Sequence, residues 1–331
     1  MNDPGSKAAR AGAEQCTPSS RRPASRPCGA TRRAFLVGAV AGVSSLAVPS
    51  LGRAQFGVGD VVYVPTPQVV VNRMMTMAKV SAADFVIDLG SGDGRQLITA
   101  VSKFGAKGGR GFDLDEELLK LANANAKKEG VSDRVQFVRR NMFETDVSGA
   151  SVITLYLLPE LNLKLRPKLF AELRPGSRIV SHDYSMGDWQ AEETVTMQVP
   201  EKQVGTPGIS YVYLWIVPAN ASGTWQWKLP NGQTLDATVR QTFQNVDVRG
   251  TLVGAKPINV TLATLRGEDI RISALVEVGA RTLRHDFVGR VRGDAIEGTV
   301  RVYDKTESST PWSALRTGGR AASLEPQAPP R

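Results

Sequence analysis

Between residues 68 and 217, short apolar runs alternate with segments in which apolar residues recur at helical spacing. This alternation predicts strands and helices in turn, and therefore an α/β domain with a largely parallel sheet. The predicted strands cover residues 85–87, 108–113, 135–138, 151–158, 177–181, 193–199 and 209–217, the last two as an antiparallel pair. The predicted helices cover residues 68–77, 96–104, 115–129 and 159–173, the last one broken near Pro167. We expect a Rossmann-like domain of seven strands over residues 55–218.

From residue 221 onward the pattern changes to short stretches of alternating apolar and polar residues. The stretches cover residues 224–228, 235–243, 258–265, 269–278, 287–291 and 299–303, and glycine-containing turns separate them. Such a series predicts an antiparallel meander that folds as a small barrel or sandwich. We expect this second, all-β domain over residues 221–316, with Trp225 and Trp312 closing its core. A loose tail is expected over residues 317–331.

The N-terminal 54 residues have a separate character. Residues 1–30 are rich in Pro, Ser, Ala and Arg without any period, which favours disorder. Thr31-Arg32-Arg33-Ala34-Phe35-Leu36 then matches a twin-arginine export signal, with an apolar run over 34–51 and small residues for cleavage after Ala54. These features predict export by the twin-arginine translocase to the periplasm or cell envelope. The alternative is a membrane anchor formed by residues 34–51.

Charge and cysteine content narrow the classes of function. The chain has 331 residues and a formal net charge of +9, but residues 1–54 carry eight Lys or Arg against two Asp or Glu. The remainder is only weakly basic, and so we expect no nucleic-acid partner. Both cysteines, Cys16 and Cys28, precede residue 55, and the chain has two histidines. We therefore expect no disulfide, no thiol nucleophile and no metal site in the folded part.

The sequence is organised around residues 88–95, Asp-Leu-Gly-Ser-Gly-Asp-Gly-Arg. A buried strand, a turn with three alternate glycines and a helix bring backbone N–H groups close to a ligand. The spacing differs from the dinucleotide fingerprint, which disfavours a nicotinamide-dependent oxidoreductase. The stretch resembles motif I of the class I S-adenosylmethionine-dependent methyltransferases. Together with the upstream Tyr63-Val64-Pro65, it is most similar to the lysine methyltransferases found in mitochondria.

The resemblance implies S-adenosylmethionine as the cofactor. Asp88 and the glycine turn would hold the methionine end, and Asp113, at the end of the second strand, would accept both ribose hydroxyls. Asn141 replaces the acid that often reads the adenine amine in this family, and its amide carbonyl can accept the same hydrogen bond. The full set of expected cofactor-binding residues is Tyr63, Thr66, Asp88, Gly90, Ser91, Gly92, Gly94, Asp113, Leu114, Asn141 and Met142. Asp115 and Thr66 are also candidate helix caps.

The resemblance favours a protein lysine as the methyl acceptor. A lysine amine must be neutral to react, and an aromatic slot formed by Tyr63, Tyr156 and Tyr184 would favour the neutral form. His182 or Asp183 would take the proton, so that Tyr156, His182 and Asp183 are the candidate catalytic residues. Two alternatives stay open: a methyltransferase acting on a small molecule, and a non-catalytic envelope binding protein that retains a methyltransferase-like domain.

Overall fold

The structure is a computed structural model that describes residues 63–254, 256–304 and 307–326. The predicted export signal, the candidate membrane anchor and the last five residues lie outside this part of the chain. Within the described residues, no helix is both long and apolar enough to cross a membrane.

The first sheet has the seven predicted strands. They are β1 (Phe85–Leu89), β2 (Gly108–Asp113), β3 (Val135–Arg139), β4 (Val152–Leu155), β5 (Arg178–His182), β6 (Glu193–Gln198) and β7 (Ile209–Ile216). Their order is β3-β2-β1-β4-β5-β7-β6, with β1 to β5 parallel and β7 antiparallel to both of its neighbours. The predicted Rossmann-like fold is confirmed, and the order of the strands reverses between β1 and β4, where such sheets bind ligands.

Four helices accompany this sheet: α1 (Gln68–Met77), α2 (Arg95–Ser102), α3 (Glu116–Lys128) and α4 (Pro159–Glu172). Alternate residues of each strand face opposite sides, so Val86 packs with α1, α2 and α3 while Ile87 packs on the side of α4. The expected break in α4 is absent, because the exposed Pro167 is accommodated within a continuous helix. One face of the sheet therefore has three helices and the other has one.

The second sheet contains eight antiparallel strands, two more than predicted. They are β8 (Gly223–Lys228), β9 (Thr234–Thr242), β10 (Asn245–Leu252), β11 (Asn259–Arg266), β12 (Asp269–Val278), β13 (Arg281–Arg292), β14 (Ala295–Tyr303) and β15 (Glu307–Gly318). Each strand pairs with the next along the chain, with one exception. Between β10 and β11, the backbone contacts of the described residues are the Thr251–Pro257 bridge and the hydrogen bond from the Ile258 N–H to the Gly250 carbonyl. Because β15 also pairs with β8, the sheet curls into an up-and-down barrel.

Aromatic side chains fill the barrel. Trp225 and Trp312, the predicted ends of the core, are both buried. Trp312 packs edge-on against Trp227 with ring centroids 5.7 Å apart, and Phe287 lies 5.1 Å from Trp312. The predicted all-β domain is confirmed.

The barrel contacts the helix-poor face of the first sheet through Phe243, in the turn between β9 and β10. Phe243 is 2% exposed, and its ring stacks 5.8 Å from Phe170 and 6.1 Å from Trp189. Trp189 belongs to the connection between β5 and β6, which contains no helix. Phe243 therefore fills a position that a crossover helix would otherwise cover.

The expectation of a loose tail is wrong for residues 319–326. Leu324 is buried, and its carbonyl accepts a hydrogen bond from the Phe243 N–H at 2.8 Å. Glu325 pairs with Arg166 of α4 at 2.6 Å. After β15 the chain returns to the first sheet, because these contacts bury an apolar side chain and pair a charged one.

Candidate active site

A cleft of about 270 Å³ opens at the carboxyl ends of β1 to β4. Its floor is the turn that follows β1, and its walls come from the ends of β2, β3 and β4 and from the segment before α1. Nine predicted residues line it: Tyr63, Thr66, Gly90, Ser91, Asp113, Leu114, Asn141, Met142 and Tyr156. Five others, Asp88, Gly92, Gly94, His182 and Asp183, lie behind this lining.

The glycines of the turn after β1 have different structural roles. Gly90 lines the cleft, whereas Gly92 and Gly94 allow close packing beneath it. A Cβ at Gly92, where φ is +52°, would lie 2.3 Å from the Tyr63 ring. A Cβ at Gly94, where φ is +81°, would lie 2.5 Å from Phe137. Both positions require glycine for conformation and for space, so they serve the cleft indirectly.

Asp113 ends β2 with its carboxylate on the cleft. One oxygen accepts the Gly92 N–H at 2.8 Å, and the other accepts the N–H groups of Leu114 at 2.8 Å and Asp115 at 3.1 Å. A carboxylate has about four lone-pair sites, so acceptor capacity remains for a ligand hydroxyl. The three backbone donors fix the direction of the carboxylate.

Asp88 lies beneath the turn and is fully buried. Its Oδ1 accepts a hydrogen bond from the Thr154 hydroxyl at 2.6 Å, while its Oδ2 has no hydrogen-bond partner. Burial raises the pKa of Asp88 to about 8, and the nearby charges of Asp113 and Asp93 add to the increase. Because Asp88 is buried beneath the turn and does not line the cleft, it would support a bound ligand from below the turn.

The segment before α1 is held over the turn by an ion pair that we did not predict. Arg95 pairs with Asp93 at 2.6 Å and donates to the Thr66 carbonyl at 3.0 Å. Tyr63 lies beside the same acid, and burial together with the charge of Asp93 raises the pKa of its phenol. The expected cap of α1 by Thr66 is wrong, because the Thr66 hydroxyl instead meets Nδ1 of His182 at 3.2 Å.

The end of the cleft at β3 has an apolar surface that is bordered by Arg140, Asn141 and Lys164. Leu114 is 42% exposed there, with Met142 and Phe143 close to it along the lining. Asn141 caps the 3₁₀ turn Met142–Glu144, since its Oδ1 accepts the Phe143 N–H at 3.0 Å. One lone pair of that oxygen remains for a ligand amine. Lys164 of α4 lies over the Phe143 ring at 4.4 Å.

The opposite end is formed by Tyr156, which follows β4. Its ring packs against His182 with centroids 4.0 Å apart. His182 is fully buried between Thr66 and Ser210, whose hydroxyl lies 3.0 Å from Nε2. Burial lowers the pKa of His182 to about 4, so its imidazole is neutral at pH 7. The structure places His182 behind the cleft wall, contrary to the expectation of a base at the cleft.

Asp183 is also expected from the sequence to be an available base, but it is buried and paired. Its side chain is 5% exposed, and Oδ2 pairs with Nζ of Lys202 at 2.6 Å. The Tyr156 hydroxyl donates to the same oxygen at 3.5 Å, and the Tyr211 N–H donates to Oδ1 at 3.1 Å. With these partners Asp183 is not a free base at the cleft, and Lys202 is a member of the site that the sequence did not reveal.

These features fit S-adenosylmethionine. Four buried polar atoms near the turn, Tyr63 Oη, Asp88 Oδ2, Ser91 Oγ and Gln96 Oε1, have no partner within the described part of the protein. They suit the charged methionine end of that molecule, while Asp113 suits a ribose and the apolar end at β3 suits a purine. Among the described residues no group of His, Cys, Asp and Glu could hold a metal ion.

The strand order, the glycine turn and the acid at the end of β2 define a class I S-adenosylmethionine-dependent methyltransferase. The chain belongs to the family of a protein-lysine N-methyltransferase from Saccharolobus islandicus (strain REY15A), to which it is 45% identical over 141 residues, 43% of this chain and 88% of the relative. A family model described as the ANTKMT methyltransferase domain matches residues 88–193.

A further relative and a solved structure also match parts of this chain. The adenine nucleotide translocase lysine N-methyltransferase of Mus musculus is 32% identical over 32% of this chain, which spans 45% of the mouse protein. Among solved structures, an RNA methyltransferase from Salinibacter ruber in complex with S-adenosyl-L-homocysteine is 47% identical, with a TM-score of 0.41 over 46% of this chain and 93% of that one.

Sequence reasoning missed Asp93, Arg95 and Lys202. The first two lie inside the motif, and an acid and an arginine two residues apart at a helix start are a local signal that could have shown the pair. Lys202 lies in the connection between β6 and β7, far along the chain from Asp183. Only the pairing of β7 with β5 brings the two together.

Proposed function

We propose that the protein transfers the methyl group of S-adenosylmethionine to the side-chain amine of a protein lysine. The observation that carries the proposal is that the cleft has no unbalanced charge at Tyr156 among the described residues. The Tyr156 ring packs against the neutral His182, and the charge of the nearby Asp183 is balanced by Lys202. The names of the relatives from Saccharolobus islandicus and Mus musculus support the same class of acceptor.

The chemistry divides between cofactor and protein. When bound, the cofactor supplies an activated methyl group and a neutral leaving group. The protein's task is to hold the acceptor amine in line and to admit it without its proton. Asp113 would hold the ribose, and Gly90 and Ser91 would hold the methionine end. Tyr156 would contact the amine in a desolvated setting that disfavours the ammonium form.

Labelled cofactor tests the acceptor class. The purified protein would be incubated with methyl-labelled S-adenosylmethionine and a cell-envelope extract, with an Asp113→Ala variant as the control. We expect the label to appear in protein, and mass spectrometry should place it on mono-, di- or trimethylated lysine. The variant should label no protein. Label only in ribonuclease-sensitive material or only in small molecules would contradict the proposal, as would bound cofactor without any labelled protein.

We further propose that the protein acts in the cell envelope after export by the twin-arginine translocase. The support is the arrangement Arg32-Arg33, apolar run and small residues before Gln55 in the sequence. A variant with both Arg32→Lys and Arg33→Lys should accumulate in the cytoplasm, whereas the parent protein should appear in the periplasmic or membrane fraction. Equal distribution of the two proteins on cell fractionation would contradict export by this route.

A further inference from the structure

The end of the cleft at Tyr156 is where an acceptor would meet the methyl group. The ribose-side acid Asp113 ends β2, and the purine-side residues follow β3. Tyr156 follows β4, on the other side of β1. A cofactor that spans β3 to β1 leaves the end at β4 open for its reaction partner. The next strand, β5, is followed directly by Asp183, whose carboxylate reaches the Tyr156 hydroxyl.

Holding Asp183 in this position costs free energy, because its backbone conformation is unfavourable and its charge is removed from water. Its φ is +62°, a left-handed conformation that is uncommon for a residue other than glycine. Its ion pair with Lys202 is almost completely buried, with the two side chains 5% and 4% exposed. Lys202 also donates to the Ile209 carbonyl. Buried ion pairs contribute little net stability, and strained residues concentrate at functional sites. This pair therefore has the marks of a functional element.

The other titratable groups around Asp183 are tyrosines, one histidine and an ion pair on the facing wall of the cleft. Tyrosines and a histidine face it from the ends of β4 and β5 and from β7: Tyr156, Tyr184, His182, Tyr211 and Tyr213. On the facing wall of the cleft, Asp93 is paired with Arg95 beside Tyr63. Within the described residues, Lys202 is the cation that balances the charge of Asp183.

We propose that Lys202 is a positioning residue for methyl transfer, which acts through Asp183 by cancelling its charge and fixing the Tyr156 hydroxyl. The inference rests on the proposed transfer to an amine. A phenol that donates to Asp183 keeps its lone pairs available to accept a hydrogen bond from an amine N–H. Without Lys202, the same carboxylate would attract the acceptor as an ammonium ion, which has no lone pair to react. Lys202 therefore selects the neutral amine.

The test is the pH dependence of kcat in Lys202 variants, which reports ionisation in the enzyme–substrate complex. In Lys202→Met, the acidic limb of the profile should move up by about one pH unit or more, and kcat at pH 7 should fall about tenfold. KM for the acceptor protein should stay constant or decrease. Lys202→Arg keeps the charge and should leave the limb near its original pH.

A double variant separates charge from structure. Asp183→Asn combined with Lys202→Met removes both charges, and asparagine tolerates the left-handed backbone. In this variant the acidic limb of the kcat profile should return toward the pH seen in the parent protein, even if Lys202→Met alone folds poorly. A uniform loss of kcat at every pH in Lys202→Met, with no return in the double variant, would overturn the inference and leave Lys202 a purely structural residue.

Amine binding gives a readout that does not need transfer. N-acetyl-lysine methylamide would be titrated into the complex with S-adenosylhomocysteine at pH 7 and pH 9. Its affinity should rise steeply with pH in the parent protein, which takes the neutral amine, and stay nearly constant in Lys202→Met, because a free lysine amine with a pKa of about 10.4 is mostly ammonium at both pH values. If no protein lysine is methylated, the proposed function fails, yet this titration still decides the inference: an affinity that is independent of Lys202 at both pH values would overturn it.

Discussion

An Asp113→Ala variant should bind S-adenosylhomocysteine more weakly than the parent protein by a factor above about 100, or not measurably. Hydrogen bonds to a charged group each contribute about 1.5–3 kcal/mol, and a ribose offers two hydroxyls to this carboxylate. The substitution also releases the Gly92 N–H, which Asp113 holds at 2.8 Å. Isothermal titration calorimetry measures the affinity directly, and thermal unfolding shows whether the variant is folded.

Asp146→Ala is the matched control. It also removes a carboxylate that accepts a backbone hydrogen bond, here from the Ser148 N–H at 2.8 Å, but at an exposed loop away from the cleft lining. Its affinity should equal that of the parent protein. An affinity of Asp113→Ala within about threefold of the control would show that the ribose lies elsewhere, and the site assignment would be wrong.

A Phe243→Ala variant should lose about 3–5 kcal/mol of the free energy of unfolding, the usual range for truncating a buried phenylalanine. Phe243 contacts Phe170 and Trp189 of the first sheet and lies under the guanidinium of Arg166 at 5.0 Å. Its loss would leave a cavity between the two sheets that these rigid rings cannot fill. Urea unfolding followed by tryptophan fluorescence measures the change, because Trp189 adjoins the cavity.

Leu315→Ala serves as the comparison, since this side chain of β15 is 64% exposed. It should change the free energy of unfolding by less than about 0.5 kcal/mol, as surface substitutions usually do. If Phe243→Ala were equally mild, the barrel and the first sheet would be stabilised independently, and the contact through Phe243 would be incidental.

Local sequence signals were sufficient for the first sheet and for half of the cleft. Asp113, Leu114, Asn141 and Met142 could be placed because a residue directly after a parallel strand lies at the ligand edge of the sheet. The barrel was predicted less completely. Strand β15 contains Pro311 and buries Trp312 and Ala314 in an otherwise polar stretch, so its apolar period is weak.

Properties that depend on contacts between distant strands could not be predicted. The position of His182 at the end of β5 was clear, but its complete burial depends on Thr66 and on Ser210 of β7. The Asp183–Lys202 pair likewise exists only because β7 returns antiparallel beside β5. Burial and pairing decide whether such residues are bases or supports, and neither can be deduced from spacing along the chain.

The first and last strands of the barrel begin and end next to each other in space. Gly223, which opens β8, lies against Gly318 and Gly319, where β15 ends. In evolutionary terms, a segment with adjacent ends can be gained by an ancestral gene in a single insertion, without rerouting the rest of the chain. Loss of such a segment would not be equally simple, because Phe243 covers Trp189 and Phe170 of the first sheet and its removal would expose both rings.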